Sequence, residues 1–258
     1  MSSLSNAASV LRLFSPERTE LSVTEVARLL AMPKSSVSRL LKAMLGESLL
    51  ASVEGTPRYR IGHLFFEVAR MYDRSSTLMD VTNTALGSLC AETRHGGYIS
   101  ILDGADVLPL RVFFGTETLR VVTPLGKRMP AYSTSTGRNL LARLSDSAVR
   151  GLHRKPLVPP SASAPRDVDD LLHRLEQIRR GGWCEAIDEG VPGVGSVATS
   201  VADPANTETL AFCLSFPAQL VPELERRRLA VTLTDTARRI AARFNDPFWT
   251  NMPQMAAA

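Results

Sequence analysis

A predicted helix over residues 33–45 carries small hydroxyl side chains and two cations on one face. Its apolar residues fall on a single stripe at the spacing of an amphipathic helix, namely Val37, Leu40, Leu41, Met44 and Leu45. At about 100° per residue, the opposite face presents Ser35, Ser36, Arg39 and Lys42, with Ser38 at its edge. Short side chains let a helix backbone approach a DNA major groove, and arginine or lysine can reach guanine edges and phosphates. This face therefore predicts DNA recognition, with Arg39 as the first candidate for base contact and Ser35, Ser36 and Ser38 beside it.

Two earlier helices and a turn are predicted to position this helix. The pair Ser5-Asn6 precedes a first apolar stripe over residues 7–14. Ser22 and Glu25 form the S-x-x-E pattern of a capping box, which satisfies two backbone donors at the start of a second helix. That helix ends ahead of Pro33, because the residue before a proline is pushed out of the helical region. Its predicted buried residues are Val26, Leu29 and Leu30. Two helices joined by a short turn make a helix-turn-helix unit.

A β-hairpin is predicted directly after the third helix. Residues 49–53 form a short strand, residues 54–57 a turn, and residues 58–61 the returning strand. Period-two alternation places Tyr59 and Ile61 inward and the two arginines outward. A wing of this kind can touch the DNA backbone or the minor groove next to the recognition helix. The predicted phosphate contacts are Thr24, Lys34, Lys42, Arg58 and Arg60.

Charge and composition agree with this interpretation without requiring it. The chain has 258 residues, a net charge of +4 and a sequence pI near 9.2. Within residues 1–62, eight Lys/Arg against five Glu leave +3, although an excess of this size is equally typical of a solvated surface. The sequence shows no apolar run long enough for a membrane span and no signal peptide. Three widely separated cysteines argue against a disulfide framework, so we expect a cytoplasmic protein.

A second group of polar residues lies in the middle of the chain. Residues 133–138 read STSTGR and lead into an apolar helical run that starts at Leu140. A helix start exposes unpaired backbone N–H groups and a partial positive charge, so it can bind an anion. The same residues can also serve only as an N-cap, and the residues alone favour the cap.

The organisation predicted from these patterns is α/β (α+β) with two domains. We expect a winged helix-turn-helix over residues 1–62, a connecting helix and linker over 63–77, and a second domain over 78–250. The second domain opens with a helix over 78–93 and has strands at 98–102, 107–114, 119–122, 195–201 and 210–216. Further helices are predicted near 135–144, 167–180 and 222–244, and residues 156–165 read as an exposed, poorly ordered loop. A mixed sheet flanked by helices is the expected architecture.

Enzyme and RNA-binding alternatives have less support. The sequence lacks H-E-x-x-H, C-x-x-C, G-x-S-x-G and P-loop motifs, and its four histidines share no spacing that would build a metal site or a triad. No cofactor or metal is predicted. The glycines at 190, 193 and 195 read as turn residues, and a redox role for Cys184 stays open as an alternative. The two aromatic residues of the first domain, Phe14 and Tyr59, fall on core faces, which disfavours stacking of RNA bases.

The N-terminal pattern as a whole resembles a known family. LSVTEVARLLAMPKSSVSRLLKAML, followed by YRIG, is similar to the winged helix-turn-helix of IclR-family bacterial regulators. GKRMPAYSTSTGRNLLARL and RRGGWCEAIDEGVPGVGSVATSV resemble that family's effector-domain blocks. The resemblance covers residues 4–245. It implies a transcriptional regulator with a GAF-like effector-binding domain, a homodimer or dimer of dimers, a double-stranded DNA operator and a small organic-acid effector.

The resemblance also implies an effector pocket at particular positions. These positions are Ser135, Thr136, Ala186, Ser196, Cys213 and Ser215. Ala186 stands where relatives often carry an aspartate, and Ser196 where they often carry a cysteine. An apolar residue at 186 suggests a larger or less polar effector. Glu189 and Gly193 match the family pattern.

Overall fold

The structure is a computed structural model that describes residues 2–15, 17–72, 77–119, 121 and 125–252, with the backbone alone for 70–72. The chain divides into two compact units, residues 1–76 and 77–258. Both combine helices with antiparallel sheet, as the sequence predicts for the fold class. Each unit is described here by itself.

Three helices and a small sheet form the first unit. The helices are α1 (Ser3–Leu11), α2 (Val23–Leu29) and α3 (Lys34–Gly46), and the sheet contains β1 (Glu20–Ser22), β2 (Leu50–Ser52) and β3 (Arg58–Ile61) in the order β1-β3-β2. Helix α1 begins earlier than predicted, because Ser2 rather than Ser5 accepts the capping hydrogen bond, from the Ser5 backbone N–H at 3.2 Å. Strand β1 was not predicted, since three residues ahead of a helix cap show no periodicity of their own.

The core of the first unit confirms most of the predicted apolar stripes. Its largest fully buried residues are Leu21, Leu41, Met44 and Leu50. Three predicted inward positions are wrong, however: Leu45 is 36 % exposed, and Leu29 and Ile61 are each 40 % exposed. Leu29 and Ile61 lie at the last position of their element and Leu45 one residue before the end of α3, where the chain turns away from the core.

The predicted capping box is confirmed at the start of α2. The Ser22 backbone N–H donates to Glu25 Oε2 at 2.7 Å, and the Glu25 backbone N–H donates to the Ser22 hydroxyl at 3.3 Å. Hydrogen bonds from the Ser22 backbone and hydroxyl, and then one from Arg58, lower the pKa of the Glu25 carboxyl from 4.5 to about 2.

This depressed pKa predicts an acid-dependent loss of stability around α2. A group whose pKa is lower in the folded state stabilises the fold above its unfolded pKa, and this contribution is lost as the pH falls toward about 2. Hydrogen exchange of residues 22–29, measured in the full chain, should show greater protection in the wild type than in Glu25→Gln at pH 6, with the difference shrinking below about pH 4. Glu54→Gln, at an exposed turn position, is the control. A difference that stays constant with pH would contradict the role of the ionised carboxylate.

Helix α4 (Leu64–Tyr72) follows the wing and corresponds to the predicted connecting helix at 63–74, whose last two residues lie outside the described part. Leu64 is half-buried, whereas Phe65, Phe66 and Val68 are exposed, with Phe66 at 70 %. Val68, one of the apolar residues at helical spacing that indicated this helix, is therefore exposed within this single chain, and the Met71 side chain is not described. An exposed apolar face on a nine-residue helix is typical of a surface that another chain covers.

The second unit is built on a six-stranded sheet. Its strands are β4 (Gly96–Asp103), β5 (Asp106–Phe113), β6 (Met129–Pro130), β7 (Trp183–Ile187), β8 (Val194–Asp203) and β9 (Glu208–Pro217), in the order β6-β5-β4-β9-β8-β7. Every described strand pair is antiparallel. The unit therefore combines helices with sheet, but no described strand runs parallel to its neighbour. Its helices are α5 (Thr77–Thr93), α6 (Ser135–Leu141), α7 (Asp146–Leu152), α8 (Val168–Gly181), α9 (Glu223–Phe244) and α10 (Pro247–Thr250).

The two faces of this sheet belong to different cores. One face packs with α5 and α9 through residues such as Ile99, Phe212 and Leu214, and the predicted α9 stripe is confirmed by the burial of Ala230, Leu233, Ala237 and Ile240. The other face is covered by α6 and α8, whose apolar residues form a second cluster with Val107 and Ala211. The sheet thus lies between two helical layers, as expected for this architecture.

Some predicted elements of the second unit are wrong or missing. Leu119 and Val121 lie in no strand, and the other two residues of the predicted strand at 119–122 lie outside the described part. Strand β7 and helices α7 and α10 were not predicted. The loop at 156–165 is mostly exposed, but the Tyr132 hydroxyl donates to the Val158 carbonyl at 2.7 Å, and Ala164 and Pro165 are buried. These contacts anchor a segment that the sequence assigned to open solvent.

Candidate nucleic-acid interface and ligand cavity

The outer face of α3 is exposed because the inner face anchors the helix. Val37, Leu41 and Met44 are 0 %, 1 % and 2 % exposed. The predicted contact residues therefore point away from the core: Lys34, Ser35, Arg39 and Lys42 are exposed, and Ser36 and Ser38 are partly exposed. Pro33 caps the helix with an extended backbone, φ −60° and ψ 136°, and ends the turn from α2.

The cations on this face are not neutralised. Among the described residues, no carboxylate forms an ion pair with Lys34, Arg39 or Lys42. Positive charge without a partner, beside small hydroxyl groups, is what a helix needs to approach phosphate and guanine. This face can therefore contact a polyanion without first breaking an internal ion pair.

The two arginines of β3 differ in their surroundings. Arg60 is exposed, as predicted. Arg58 is instead held by carboxylates, with its Nη2 3.0 Å from Glu25 Oε2 and its Nε 3.4 Å from Glu20 Oε2. Strand pairing of β1 with β3 brings Ser22 opposite Arg58 and so positions these groups. The sequence could not reveal this contact, because Glu20 and Arg58 are 38 residues apart in the chain.

A cavity of about 100 Å³ lies in the second unit, beside the start of α6, whose N-cap Thr134 is among the lining residues. Sheet register explains part of its wall, because Ala186 is paired with Ser196 across β7 and β8, and Ser196 is paired with Ser215 across β8 and β9. These three predicted pocket residues thus form one cross-strand row. Ser133 and Thr134, from the STSTGR segment singled out in the sequence, also line it, and the lining residues that sequence reasoning missed are Tyr98, Val121, Met129, Gly190, Val191 and Val194.

The other three predicted pocket residues lie behind the cavity wall. Ser135 is fully buried, and its hydroxyl is 2.7 Å from the Ser196 hydroxyl. The Thr136 hydroxyl accepts a hydrogen bond from Ser100 at 3.5 Å, and Cys213 is the cross-strand partner of Tyr98. Ser135 and Cys213 support residues that line the cavity, and none of the three is itself among them.

The STSTGR segment forms the start of α6. Thr134 is the N-cap and accepts a hydrogen bond from the Gly137 backbone N–H at 3.1 Å, which agrees with the capping interpretation. Gly137 has no room for a side chain, since a Cβ there would lie 2.2 Å from the Ala131 carbonyl oxygen. The glycine therefore allows α6 to pack closely on the turn that precedes it.

A buried ion pair holds the loop beside the cavity. Arg138 and Glu189 are 2 % and 7 % exposed, and the guanidinium contacts both carboxylate oxygens, with Nη2 to Oε1 at 3.0 Å. Arg138 Nη2 also donates to the Glu185 carbonyl at 2.6 Å. Glu189 directly precedes Gly190 and Val191, which line the cavity, so this ion pair fixes that part of the wall.

Neither the Cys184 thiol nor the described metal-ligating side chains are arranged for redox or metal chemistry. Burial raises the pKa of the Cys184 thiol, and its sulfur lies 3.4 Å from the Ser135 carbonyl oxygen, so a reactive thiolate is disfavoured. The described residues contain no cluster of His, Cys, Asp and Glu that could hold a metal ion. Within the same residues, no helix is both long and apolar enough to cross a bilayer.

Comparison with known proteins assigns both units. The IclR helix-turn-helix domain matches residues 3–54, and the bacterial transcriptional regulator IclR C-terminal domain matches residues 71–242. The chain belongs to the IclR family of bacterial transcriptional regulators. It is thus a DNA-binding regulator, and the resemblance inferred from the sequence is confirmed.

The relatives of this IclR-family chain that are described here are named as transcriptional regulators. An HTH-type transcriptional regulator of Mycobacterium tuberculosis is 31% identical over 223 residues, covering 84% of this chain and 82% of the relative. TtgV of Pseudomonas putida, also an HTH-type transcriptional regulator, is 27% identical over 197 residues, covering 76% of this chain and 74% of TtgV. These names fit a protein that is not an enzyme.

Solved structures share the fold. An IclR transcriptional regulator from Alicyclobacillus acidocaldarius has a TM-score of 0.81 at 20% identity, covering 93% of this chain and 97% of that one. An IclR homolog from Microbacterium hydrocarbonoxydans, complexed with 4-hydroxybenzoate, has a TM-score of 0.77 at 21% identity, covering 93% and 100%.

Proposed function

We propose that this IclR-family chain binds a specific double-stranded DNA operator through α3 and that a small organic-acid effector, bound in the second unit, controls this binding. The observation that carries the first half is the outer face of α3, where Arg39 and Lys42 are exposed and unpaired among the described residues. This face lies opposite the buried residues Val37, Leu41 and Met44, so the helix can present it rigidly.

Within this proposal, Arg39 reads a base edge and Ser35, Ser36 and Ser38 allow the close approach that readout needs. Phosphate contacts come from Thr24, Lys34, Lys42 and Arg60. All four of these residues are exposed. Arg58 is also proposed as a phosphate contact, but its guanidinium must then share its charge with Glu20 and Glu25. We therefore expect Arg58 to contribute less than Arg60.

The operator is proposed to be roughly two-fold symmetric and to bind a homodimer or a dimer of dimers. The exposed apolar residues of α4, namely Phe65, Phe66 and Val68, suit contact with a second copy of this chain. Two recognition helices would then enter major grooves about 34 Å apart, or a multiple of that distance.

The effector is proposed to occupy the cavity beside α6. The 4-hydroxybenzoate bound to the Microbacterium homolog makes a small organic acid a reasonable class of ligand. Regulation requires the ligand to bind one arrangement of the DNA-binding units more tightly than the other. A ligand with equal affinity for both arrangements would not shift the equilibrium between them. No catalytic step is proposed, and DNA in the cytoplasm is the expected partner.

Selection of bound duplexes from random DNA tests the proposal with the purified full-length chain. We expect an enriched motif with two inverted half-sites, and a solution mass of two or four chains under the same conditions. Arg39→Ala, which removes the predicted base contact, is the variant to compare, and Arg154→Ala, an exposed cation of the second unit, is its control. Enrichment of no sequence, or equal enrichment by Arg39→Ala, would contradict sequence-specific readout through α3.

A further inference from the structure

We infer that the cavity beside α6 takes a compact, largely apolar molecule with one hydrogen-bonding head, and that the described part of its wall holds this head by hydroxyl groups without a salt bridge. The inference rests on the proposed function, because it concerns the same effector site. The chemistry of the cavity wall limits the class of effector that can bind there.

The described wall is divided between hydroxyl groups and apolar groups. The hydroxyl groups belong to Tyr98, Ser133, Thr134, Ser196 and Ser215, and the apolar groups to Val121, Met129, Ala186, Val191 and Val194. Hydroxyl groups can both donate and accept hydrogen bonds, so they bind carboxylate, amide and alcohol heads alike. The apolar groups favour a hydrocarbon body.

No lysine, arginine or histidine is among the described residues that line this cavity, and no aspartate or glutamate either. The buried cation of α6, Arg138, is already bound on both oxygens of Glu189 and on the Tyr132 carbonyl at 3.3 Å. The phenol of Tyr98 stays neutral, since burial raises its pKa well above the usual value. A second or third carboxylate on a ligand would therefore be desolvated without a compensating charge.

The size of the cavity limits the body of the ligand. Its volume is about 100 Å³, and an engineered cavity of about 150 Å³ is known to bind benzene. The cavity therefore suits a short branched chain or, with small movements of the wall, one six-membered ring. Sugar acids and tricarboxylates are too polar and too highly charged for this wall.

Titration calorimetry of the full-length protein with matched acids and amides tests the inference. The probes are benzoate and benzamide, isobutyrate and isobutyramide, and citrate. We expect each carboxylate to bind within about tenfold of its own amide, with less than about threefold change between 50 and 500 mM NaCl, and citrate to bind at least 100-fold more weakly. A carboxylate preference above 100-fold that salt weakens, tighter binding of citrate, or no binding by either pair would each overturn it.

Two variants locate the binding in this cavity. Ala186→Asp places a carboxylate in the wall and should weaken benzoate at least tenfold more than benzamide, because only the acid is repelled. Val158→Asp, at an exposed position, is the matched control and should change neither. Operator binding without effector, measured on the same samples, distinguishes the proposed DNA-binding function from this inference about the ligand. If a DNA motif is selected but the ligands do not bind as expected, only the inference about the ligand is contradicted. Equal losses for acid and amide in Ala186→Asp, with the unfolding midpoint unchanged, would overturn it.

Discussion

Glu189→Ala is expected to lower the free energy of unfolding of the second unit by about 3–5 kcal/mol. The variant leaves Arg138, which is 2 % exposed, as a buried cation that has lost its carboxylate. Arg174 Nη1, 3.6 Å from Glu189 Oε2, loses the same partner. Thermal and urea unfolding of the full chain, followed by a probe of the second unit such as Trp183, would measure the loss.

Two comparisons isolate the buried ion pair. Asp169→Ala breaks the exposed ion pair with Arg150 and should change stability by less than about 1 kcal/mol. The double variant Arg138→Met/Glu189→Leu removes both charges and should be more stable than Glu189→Ala, because no unpaired charge stays buried. If Glu189→Ala and Asp169→Ala had equal effects, Glu189 would not be neutralising a buried charge. Because Glu189 precedes two cavity residues, its loss should also weaken ligand binding.

Arg39→Ala is expected to lower operator affinity about 10- to 100-fold and to relax the preference at one base position of each half-site. A guanidinium that donates two hydrogen bonds to guanine contributes about 1–3 kcal/mol of discrimination against the wrong base. The measurement is the dissociation constant for the selected operator, for all single-base variants of one half-site, and for random DNA at fixed salt.

Lys42→Ala is the matched control, because Lys42 is an exposed cation on the same face of α3. As a phosphate contact, it should weaken binding to all sequences alike and reduce the slope of log affinity against log salt by about 1. Equal losses on operator and random DNA for Arg39→Ala would show that Arg39 also contacts phosphate only.

Local signals in the sequence predicted the elements of the first unit well. The capping box at Ser22 and Glu25, the break at Pro33 and the stripe of α3 all depend on neighbours within four residues, so the sequence displays them directly. Errors occurred where an element ends or is very short. Leu29 and Ile61 are at the last positions of their elements, Leu45 is one residue from the end of α3, and β1 has only three residues.

The cavity was only partly predictable. Ala186, Ser196 and Ser215 were placed by resemblance, and the sheet register brings them together. Tyr98, Met129 and Val194 were missed, since a strand residue on the α6 side of the sheet has the same alternation as any other buried strand residue. Ser133 and Thr134 were singled out within the STSTGR segment, because several hydroxyls at a helix start can bind an anion, but they were not among the predicted pocket positions.

The sequence by itself determined the periodic stripes, the helix caps and the family pattern, and with them a winged helix-turn-helix joined to an α/β unit. Only the tertiary structure decided which charges are neutralised and which hydroxyls meet. Glu20 reaches Arg58, and Glu189 reaches Arg138, from 38 and 51 positions away in the chain. Local preferences act over a few residues, whereas the contacts that set charge and polarity at a site are made through space by strand pairing and helix packing.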